Sequence, residues 1–557
     1  MKNSSKYKRQ YFEVKNAKHK WANKTYIEKP PIWCSVDLRD GNQALITPMS
    51  LDEKLKFFEL LVKVGFKEIE VGFPAASETE YTFMRTLIEN NMIPDDVTIQ
   101  VLTQSREHII KKTFEALNGI KDNHAIVHLY NSTSFAQREQ VFRKSKEEII
   151  KIAVEGATIF NDICKEHKVK YRYEYSPESF TGTEPEFALE ICNKVLDVWN
   201  PCIDNKVIIN LPVTVEHSTP NVYADQIEYM NDNIKYRDNV IISLHPHNDR
   251  GTAVADAELG LLAGGDRVEG TLFGNGERTG NVDIITLALN MYSQGIEPNL
   301  DFTDIISIKD LYEDVTKMKI YERQPYSGKL VFAAFSGSHQ DAIAKGMNWR
   351  EEKNIEEWTV PYLPIDPRDL GRVYEKDVIR INSQSGKGGV SYILENNFSY
   401  KLPKKLSEEV SYLVKSISDT IHAELSIDEI HKIFVDNYVN KCDKIKLAEI
   451  DFENDNDLPK VKLKISIDGN EKTFEGRGKG KFESVVNAIL SNIPNIGIND
   501  LTYDEHGINK GADSNAVTYL SYKMNDGKVV WGVGIDSDIL TSSIYALFSA
   551  INRALTV

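Results

Sequence analysis

Between residues 30 and 325 the chain alternates short runs of β-branched and aromatic residues with longer amphipathic stretches, and it does so eight times. The stretch that follows Ser50 is a predicted helix over 51–65, because Ser50 and Glu53 stand in capping-box spacing. Eight β-α units in a segment of this size predict a closed (β/α)₈ TIM barrel rather than an open sheet. The predicted strands are 33–39, 68–73, 97–103, 124–131, 170–176, 206–213, 239–245 and 267–273.

The barrel segment is flanked by parts of different character. Residues 1–29 form a basic N-terminal arm, expected to be a solvated tail or an extension that embraces another subunit. Residues 326–430 lose the β-α rhythm and hold aromatic and proline-rich turns, which predicts small helical linker subdomains. The sequence therefore predicts an α/β protein in which the barrel occupies 30–325 and a further domain occupies 431–557.

The last domain contains an internal repeat. A strand, an Asp-Gly turn, a second strand and a helix follow one another around Asp468-Gly469 and recur 58 residues later around Asp526-Gly527. Asp-Gly between alternating apolar runs is typical of a β-hairpin. The pattern predicts an α+β regulatory domain with duplicated ββα units.

The composition excludes several classes of protein. A net charge of −16 argues against nucleic acid as the main partner, and no run is long enough to span a membrane. The N-terminus has no apolar leader, and the five cysteines never stand in Cys-x-x-Cys spacing. We therefore expect a cytoplasmic protein with reduced thiols that binds neither nucleic acid nor membrane.

A metal site is predicted at the carboxyl ends of the first and seventh strands. His245 and His247 stand two residues apart at a strand end and so face the same side, although such a pair can also be two polar residues in a turn. Asp40, which follows the first strand, can complete a set of two histidines and one carboxylate that leaves positions open for water and substrate. This set suits Mg²⁺, Mn²⁺ or Zn²⁺, and the sequence does not choose among them.

Other strand ends carry polar side chains at the same predicted mouth. Each of them alone is explained by a salt bridge or hydrogen bond on the rim, but their convergence with a metal set predicts an active site. They are Arg39, His128, Tyr130, Ser176, Glu178, Thr214 and the residues of the loop 274–281.

Four segments identify a family. They resemble those of the α-isopropylmalate synthases, metal-dependent barrels that catalyse Claisen condensations of acyl-CoA, and the resemblance extends through Phe335-Ser336-Gly337-Ser338-His339-Gln340-Asp341 into the repeat. The segments are Leu38-Arg39-Asp40-Gly41-Asn42-Gln43, Val71-Gly72-Phe73-Pro74-Ala75, His245-Pro246-His247-Asn248-Asp249-Arg250-Gly251 and Gly274-Asn275-Gly276-Glu277-Arg278-Thr279-Gly280-Asn281.

The resemblance implies that acetyl-CoA condenses with 2-oxoisovalerate and that thioester hydrolysis then gives 2-isopropylmalate and CoA. It implies that Asp40, His245 and His247 hold a divalent metal, with Asn281 as a fourth ligand or a close neighbour of the ligands. It also implies a substrate pocket formed by Gln43, His128, Tyr130, Ser176 and Thr214.

Three residues receive catalytic roles from the same resemblance. Arg39 would stabilise the oxyanion or the enolate of the acetyl group. Glu178 and His339 are the candidate bases for the acetyl methyl group, and the sequence does not decide which acts directly. His339 lies outside the predicted barrel and either folds back over its own mouth or reaches that of a second subunit, and the resemblance favours a homodimer with shared active sites.

The resemblance further implies inhibition by L-leucine bound to the repeat. The glycines Gly478, Gly480, Gly532 and Gly534 would let a ligand approach the backbone, or would only permit tight packing, and Tyr374 is a candidate link to the active site. Lys479 stands where the family usually carries Asn, which leaves the affinity for leucine and the identity of the effector open.

Related activities remain as alternatives. Citramalate synthase and homocitrate synthase share the chemistry but accept other 2-oxo acids, and such small differences in side chain discriminate weakly. A protein of another class, a non-catalytic dimerisation protein that senses amino acids, is disfavoured because Asp40, His245 and His247 are all present.

Overall fold

A computed structural model describes residues 3–166, 169–334, 336–374, 388–421, 425–455, 458–493, 496–508 and 514–556. The chain divides into two compact units. The first comprises residues 1–332 and 364–373, and the second comprises residues 333–363 and 374–557.

The first unit is a closed barrel of eight parallel strands in sequential order, in which β8 pairs with β1. All eight predicted strands are confirmed, and each begins and ends within a few residues of its prediction. The strands are β1 Ile32–Ser35, β2 Glu68–Gly72, β3 Thr98–Gln104, β4 Ala125–Ser132, β5 Arg172–Glu178, β6 Val207–Val213, β7 Val240–Pro246 and β8 Arg267–Gly270.

Amphipathic helices surround the barrel. The predicted capping box at Ser50 is present, with the Ser50 side chain accepting from the Glu53 amide and the Glu53 side chain accepting from the Ser50 amide. The helices of the first unit are α1 Leu51–Val64, α2 Glu78–Glu89, α3 Glu107–Ala116, α4 Lys146–Glu166, α5 Pro185–Trp199, α6 Pro220–Asn233, α7 Ala253–Leu262, α8 Ile284–Tyr292 and α9 Ile305–Thr316.

The interior of the barrel is charged. Arg267 on β8 is fully buried and donates to Glu68 at 2.5 Å, to Ser243 at 2.8 Å, and to Gln100 and Glu269, each at 2.7 Å. A buried guanidinium is tolerated only when carboxylates and hydrogen-bond acceptors surround it. The inner faces of the strands therefore form a polar network below the mouth.

Residues 18–21 of the N-terminal arm lie against α6. The Trp21 indole donates to Asp225 at 2.8 Å, and Lys18 and Lys20 each contact Asp232 at 2.8 Å. This stretch is thus bound to its own barrel rather than free in solvent.

The second unit contains helices followed by two three-stranded antiparallel sheets with the strand orders β11-β10-β9 and β12-β13-β14. The predicted repeat is present, but each copy is βββα, with one strand more than predicted. The elements are α10 Gly337–Glu352, α11 Gly388–Phe398, α12 Lys404–Ile421, α13 Ile427–Tyr438, β9 Ile445–Asp455, β10 Leu458–Ile467, β11 Asn470–Arg477, α14 Lys481–Asn492, β12 Asn499–Gly507, β13 Ala516–Lys523, β14 Val529–Asp536 and α15 Ile539–Thr556.

The two faces of the β12-β13-β14 sheet pack differently. One face contributes Leu520 and Tyr522 to a core with α14 and α15. The other face contributes Tyr519 and Val533 to a core with α11, α12 and α13, to which α13 adds Phe434. Because residue 430 lies inside α13, the predicted domain boundary at 430/431 falls within this core.

The β9-β10-β11 sheet packs one face only. Val461, Leu463 and Ile465 of β10 are buried against the helices, whereas the alternate residues Lys460, Lys462 and Lys464 point to the outer face. Carboxylates of the neighbouring strands flank these lysines, for instance Glu475 beside Lys460 at 2.8 Å and Glu471 beside Lys464 at 3.3 Å. The outer face of the first βββα copy is therefore exposed to solvent and carries lysines paired with carboxylates of the neighbouring strands.

Candidate active site at the mouth of the barrel

Asp40, His245 and His247 meet at the mouth of the barrel. Asp40 follows β1 in a buried turn, and its Oδ2 lies 3.3 Å from Nε2 of His245 and 3.6 Å from Nε2 of His247. One potential ligand atom from each residue lies within 4.8 Å of the others, and all three side chains are buried. The structure thus brings together the three predicted ligands.

The surroundings shift the pKa values of the two histidines in opposite directions. Burial alone would lower the pKa of His245, but its hydrogen bonds to Asp40 and Glu269 raise that pKa to about 9. Burial lowers the pKa of His247 to about 4, since the attraction of Asp40 compensates only in part. Burial would raise the pKa of Asp40, but Arg39 and the two histidines hold it well below its usual range.

The donor set fits a divalent cation. Asn281 is 1% exposed and lies next to His247 through an isolated β-bridge, and its side-chain Oδ1 has no hydrogen-bond partner among the described residues. A buried amide oxygen without a partner is costly unless something fills its coordination. Two imidazole nitrogens and one carboxylate form a set that Mg²⁺, Mn²⁺ or Zn²⁺ accepts.

Arg39 is held rigidly beside this set. Its Nη1 donates to Oδ1 of Asp40 at 2.8 Å, and its Nε donates to Glu70 at 2.6 Å. Glu70 in turn contacts Nδ1 of His128 at 3.1 Å, and Nε2 of His128 lies 2.7 Å from the Ser176 hydroxyl. The chain of contacts fixes a cationic group and two polar pocket residues in one orientation.

Glu178 and Thr214 lie at the ends of adjacent strands on the far side of the mouth. The Ser132 hydroxyl donates to the Glu178 carboxylate, and the Thr214 hydroxyl accepts from the Ser179 amide at 2.9 Å. Near β1, Gln43 donates to Glu277 of the 274–281 loop at 3.1 Å. These contacts tie the loops of the rim to one another.

A cavity of about 320 Å³ opens at this point. It is lined by ten of the predicted barrel residues, namely Arg39, Asp40, Gln43, His128, Tyr130, Ser176, Glu178, Thr214, His245 and His247.

Five further residues complete the lining, and three of them were not singled out in the sequence. Glu277 and Arg278 belong to the 274–281 loop, whose convergence on the mouth was expected. Asn210 and Pro212 precede Thr214 at intervals of two residues, so the period of a strand could have found them, and Leu102 lies on β3.

The remaining predicted residues belong to the second unit. His339 lies in the first turn of α10, where its ring stacks on Tyr362 with the centroids 4.0 Å apart, while Phe335 of the same motif lies outside the described residues. Tyr374 is half-buried, and burial raises the pKa of its hydroxyl.

Packing explains most of the predicted regulatory glycines. A Cβ on Gly532 or Gly534 of β14 would overlap the backbone of α15, and one on Gly478 would approach the Ser484 amide of α14 to 2.5 Å. Gly480 differs, because nothing lies within 4 Å of the position that its Cβ would take. Their role in ligand binding stays a prediction.

Among the helices of the described residues, none is both long and apolar enough to cross a membrane.

Three family models match successive parts of the chain. Residues 30–312 match the HMGL-like model, and residues 329–395 match the model of the alpha-isopropylmalate synthase post-catalytic domain. Residues 424–555 match the LeuA allosteric (dimerisation) domain.

Curated relatives match over the whole length. A 2-isopropylmalate synthase of Helicobacter hepaticus is 60% identical over 99% of both chains. One of Desulfitobacterium hafniense is 59% identical over 99% of this chain and 98% of the relative, and one of Clostridium acetobutylicum is 53% identical over 98% of both.

Proposed function

The chain belongs to the 2-isopropylmalate synthase family, and from this premise we propose that it condenses acetyl-CoA with 2-oxoisovalerate and water to give 2-isopropylmalate and CoA. This is the first committed step of leucine biosynthesis. The observation that carries the proposal is the convergence of Asp40, His245 and His247 at the mouth of the barrel in a chain that matches these enzymes from end to end.

The residues that would hold the metal are Asp40, His245 and His247, with Asn281 as a fourth ligand or a close neighbour. A divalent cation bound there would supply a Lewis acid that polarises the keto group of the oxo acid toward attack. The sequence and the donor set are compatible with Mg²⁺, Mn²⁺ or Zn²⁺, and metal-content analysis of the purified protein identifies the ion.

Arg39 is the proposed electrostatic catalyst. Its guanidinium is fixed between Asp40 and Glu70, so it can face developing negative charge without first reorganising. Burial alone would lower the pKa of Arg39, but Asp40 and Glu70 raise it, and the group remains a cation at every accessible pH.

Glu178 is the proposed base of the barrel, and His339 is the second candidate. The Glu178 carboxylate borders the cavity and accepts from Ser132, which leaves its other oxygen available for a proton of the acetyl methyl group. The electron pair freed from that C–H bond would form the new C–C bond to the keto carbon. Water then replaces CoA at the thioester.

The cavity also carries apolar walls suited to a branched oxo acid. Leu102 and Pro212 line it together with the polar residues, and they offer an apolar surface for an isopropyl group. One methylene in such a pocket is worth about 1–3 kcal/mol, so the alternatives citramalate synthase and homocitrate synthase must be separated by measurement.

A substrate panel tests the proposal. The purified protein is mixed with acetyl-CoA and 2-oxoisovalerate, pyruvate, 2-oxobutyrate or 2-oxoglutarate, and the release of free thiol and the product mass are recorded. The expected result is the highest kcat/KM with 2-oxoisovalerate. A tenfold preference for pyruvate or 2-oxoglutarate would assign one of the alternative activities, and no turnover with any acid would favour the sensing protein.

Regulation by L-leucine and assembly into a homodimer belong to the same proposal. The match of residues 424–555 to the LeuA allosteric (dimerisation) domain supports both, and the five cysteines, none in Cys-x-x-Cys spacing, agree with action in the cytoplasm. Calorimetry with L-leucine and light scattering after size-exclusion chromatography provide the tests. Because Lys479 departs from the family pattern, L-valine and L-isoleucine serve as comparison ligands.

A further inference from the structure

Glu269 of β8 is fully buried below the candidate metal site. Its carboxylate accepts hydrogen bonds from four side chains. The donors are Nδ1 of His245 at 2.6 Å, Nε2 of Gln100 at 2.7 Å, Nη1 of Arg267 at 2.7 Å and Nδ2 of Asn210 at 3.2 Å.

This arrangement determines the hydrogen positions on His245. The N–H groups of Gln100, Asn210 and Arg267 can only donate to the Glu269 oxygens, so this carboxylate is an acceptor and Nδ1 of His245 carries a hydrogen toward it. The lone pair of the neutral ring then lies on Nε2, the atom that faces Asp40. His247 differs, because its Nδ1 has no hydrogen-bond partner among the described residues.

We propose that Glu269 is a positioning residue that fixes the tautomer, orientation and basicity of His245 for metal binding, and that Arg267 fixes Glu269. Mutation of a carboxylate that accepts from the other ring nitrogen of a ligating histidine typically lowers metal affinity or activity by about 10- to 100-fold. The inference rests on the proposed function only in assuming that Asp40, His245 and His247 bind a metal.

A second cation in this network is not the better explanation. His128, Glu174 and Glu269 do offer ligand atoms close to one another. Arg267 already supplies the positive charge there, with its Nη1 2.7 Å from Glu269 and 3.7 Å from Glu174. The guanidinium would repel a divalent cation at the same place.

Glu174 provides an internal control. It is as deeply buried as Glu269, but neither of its oxygens has a hydrogen-bond partner among the described residues. Burial, together with the neighbouring Glu269, raises the pKa of Glu174 well above its usual range. Glutamine keeps the length and shape of Glu174 and breaks no hydrogen bond of the described residues, so Glu174→Gln should change little.

The test compares Glu269→Gln with Glu174→Gln in the full-length chain. Mn²⁺ affinity is measured by competition with a chromogenic chelator, the Co²⁺-loaded proteins give absorption spectra of the ligand field, and circular dichroism reports the fold. We expect Glu269→Gln to bind Mn²⁺ about 10- to 100-fold more weakly with a shifted Co²⁺ spectrum, and Glu174→Gln to match the wild type. Excess Mn²⁺ should restore part of the turnover of Glu269→Gln, which damage to the fold would not allow.

Two results would overturn the inference. One is wild-type Mn²⁺ affinity in Glu269→Gln, and the other is an equal loss of affinity in both variants. If Glu269→Gln does not fold, Glu269→Asp decides, because it keeps the charge beside Arg267 but withdraws the carboxylate from His245. A folded Glu269→Asp with undiminished affinity would also overturn it. A wild-type chain that binds no divalent metal would instead refute the proposed function itself.

Discussion

At the scale of single residues, the imidazole of His245 is the group on which the candidate metal site depends most. It contacts both Asp40 and Glu269. We predict that His245→Ala lowers bound metal from about one ion per chain to less than a tenth and abolishes turnover without loss of the fold, since one ligand of a small open set is removed. Elemental analysis, turnover and circular dichroism measure these three effects.

The matched control is His108→Ala, which removes an exposed histidine of α3. It should retain metal and activity. Wild-type metal content in His245→Ala would exclude this residue as a ligand.

A second residue-scale prediction concerns Asp256 on α7. Its side chain is 1% exposed and lies beside Glu216, which accepts from the Arg250 amide and the Thr252 hydroxyl. Burial and Glu216 raise the pKa of Asp256 to about 8. Between about pH 4 and pH 8 the folded chain therefore binds one proton more than the unfolded chain, and stability falls as the pH rises through this range.

Asp256→Asn removes this ionisation. The variant should unfold at about the same urea concentration as the wild type at pH 4, and should be more stable by several kcal/mol at pH 9, since each unit of pKa shift corresponds to about 1.4 kcal/mol. Urea denaturation at both pH values measures the difference. Equal stability of the two proteins at pH 9 would show that Asp256 ionises there without cost.

The sequence predicted the residues at the mouth better than those beneath it. Asp40 and His245 stand at strand ends, where chemistry is expected in a barrel. Glu269 and Arg267 lie inside a strand that is buried on both faces, and such strands are expected to be apolar. The sequence could not predict these charges, because their partners, such as Gln100, lie on other strands that meet only in the folded barrel.

At the scale of elements, β14 and α15 touch through their backbones. We predict that Gly534→Ala destabilises the second unit by about 1–3 kcal/mol, because the added methyl overlaps the backbone at Ser542 and Ala546. Thermal denaturation measures the loss.

Gly480→Ala is the matched variant, since nothing lies within 4 Å of its added methyl and its φ of −136° suits alanine. Its melting temperature should stay close to that of the wild type. If it also loses L-leucine binding, Gly480 serves the ligand rather than the packing.

The elements that escaped prediction are the first strands of the two repeats. Most of β12 is exposed, and its sequence Asn499–Gly507 shows no alternating apolar face. An edge strand that buries little carries little periodic signal, and its backbone pairing with β13 defines it instead. The sequence predicted β1, β6 and β7 because these buried strands are rich in apolar residues.

At the scale of the whole molecule, the helices of the linker and the last sheet share one core. Ending the chain at residue 430 would cut α13 and uncover Leu406, Val410 and Val414 of α12. We predict that such a truncated protein binds a hydrophobic dye and is cleaved rapidly by protease in residues 388–430. A truncated chain that stays resistant and monomeric would mean that these helices fold without the sheet.

A second prediction at this scale concerns subunits. If His339 acts on the barrel of its dimer partner, mixing Asp40→Ala and His339→Ala chains under exchange conditions should recover activity, with one competent site per heterodimer. Light scattering verifies the heterodimer, and mixing either variant with itself is the control. Verified heterodimers without activity would mean that His339 serves its own barrel or takes no part in catalysis.

The different outer faces of the two βββα copies limit how the gene for this chain can be rearranged. Ancestral copies of a repeat begin as interchangeable, but here one sheet carries Tyr519 and Val533 toward helices while the other carries Lys460, Lys462 and Lys464 toward water. A recombinant in which the first copy replaced the second would place three ammonium groups against the apolar surface of α12 and α13. The two copies are thus no longer interchangeable, because each outer face suits only its own surroundings.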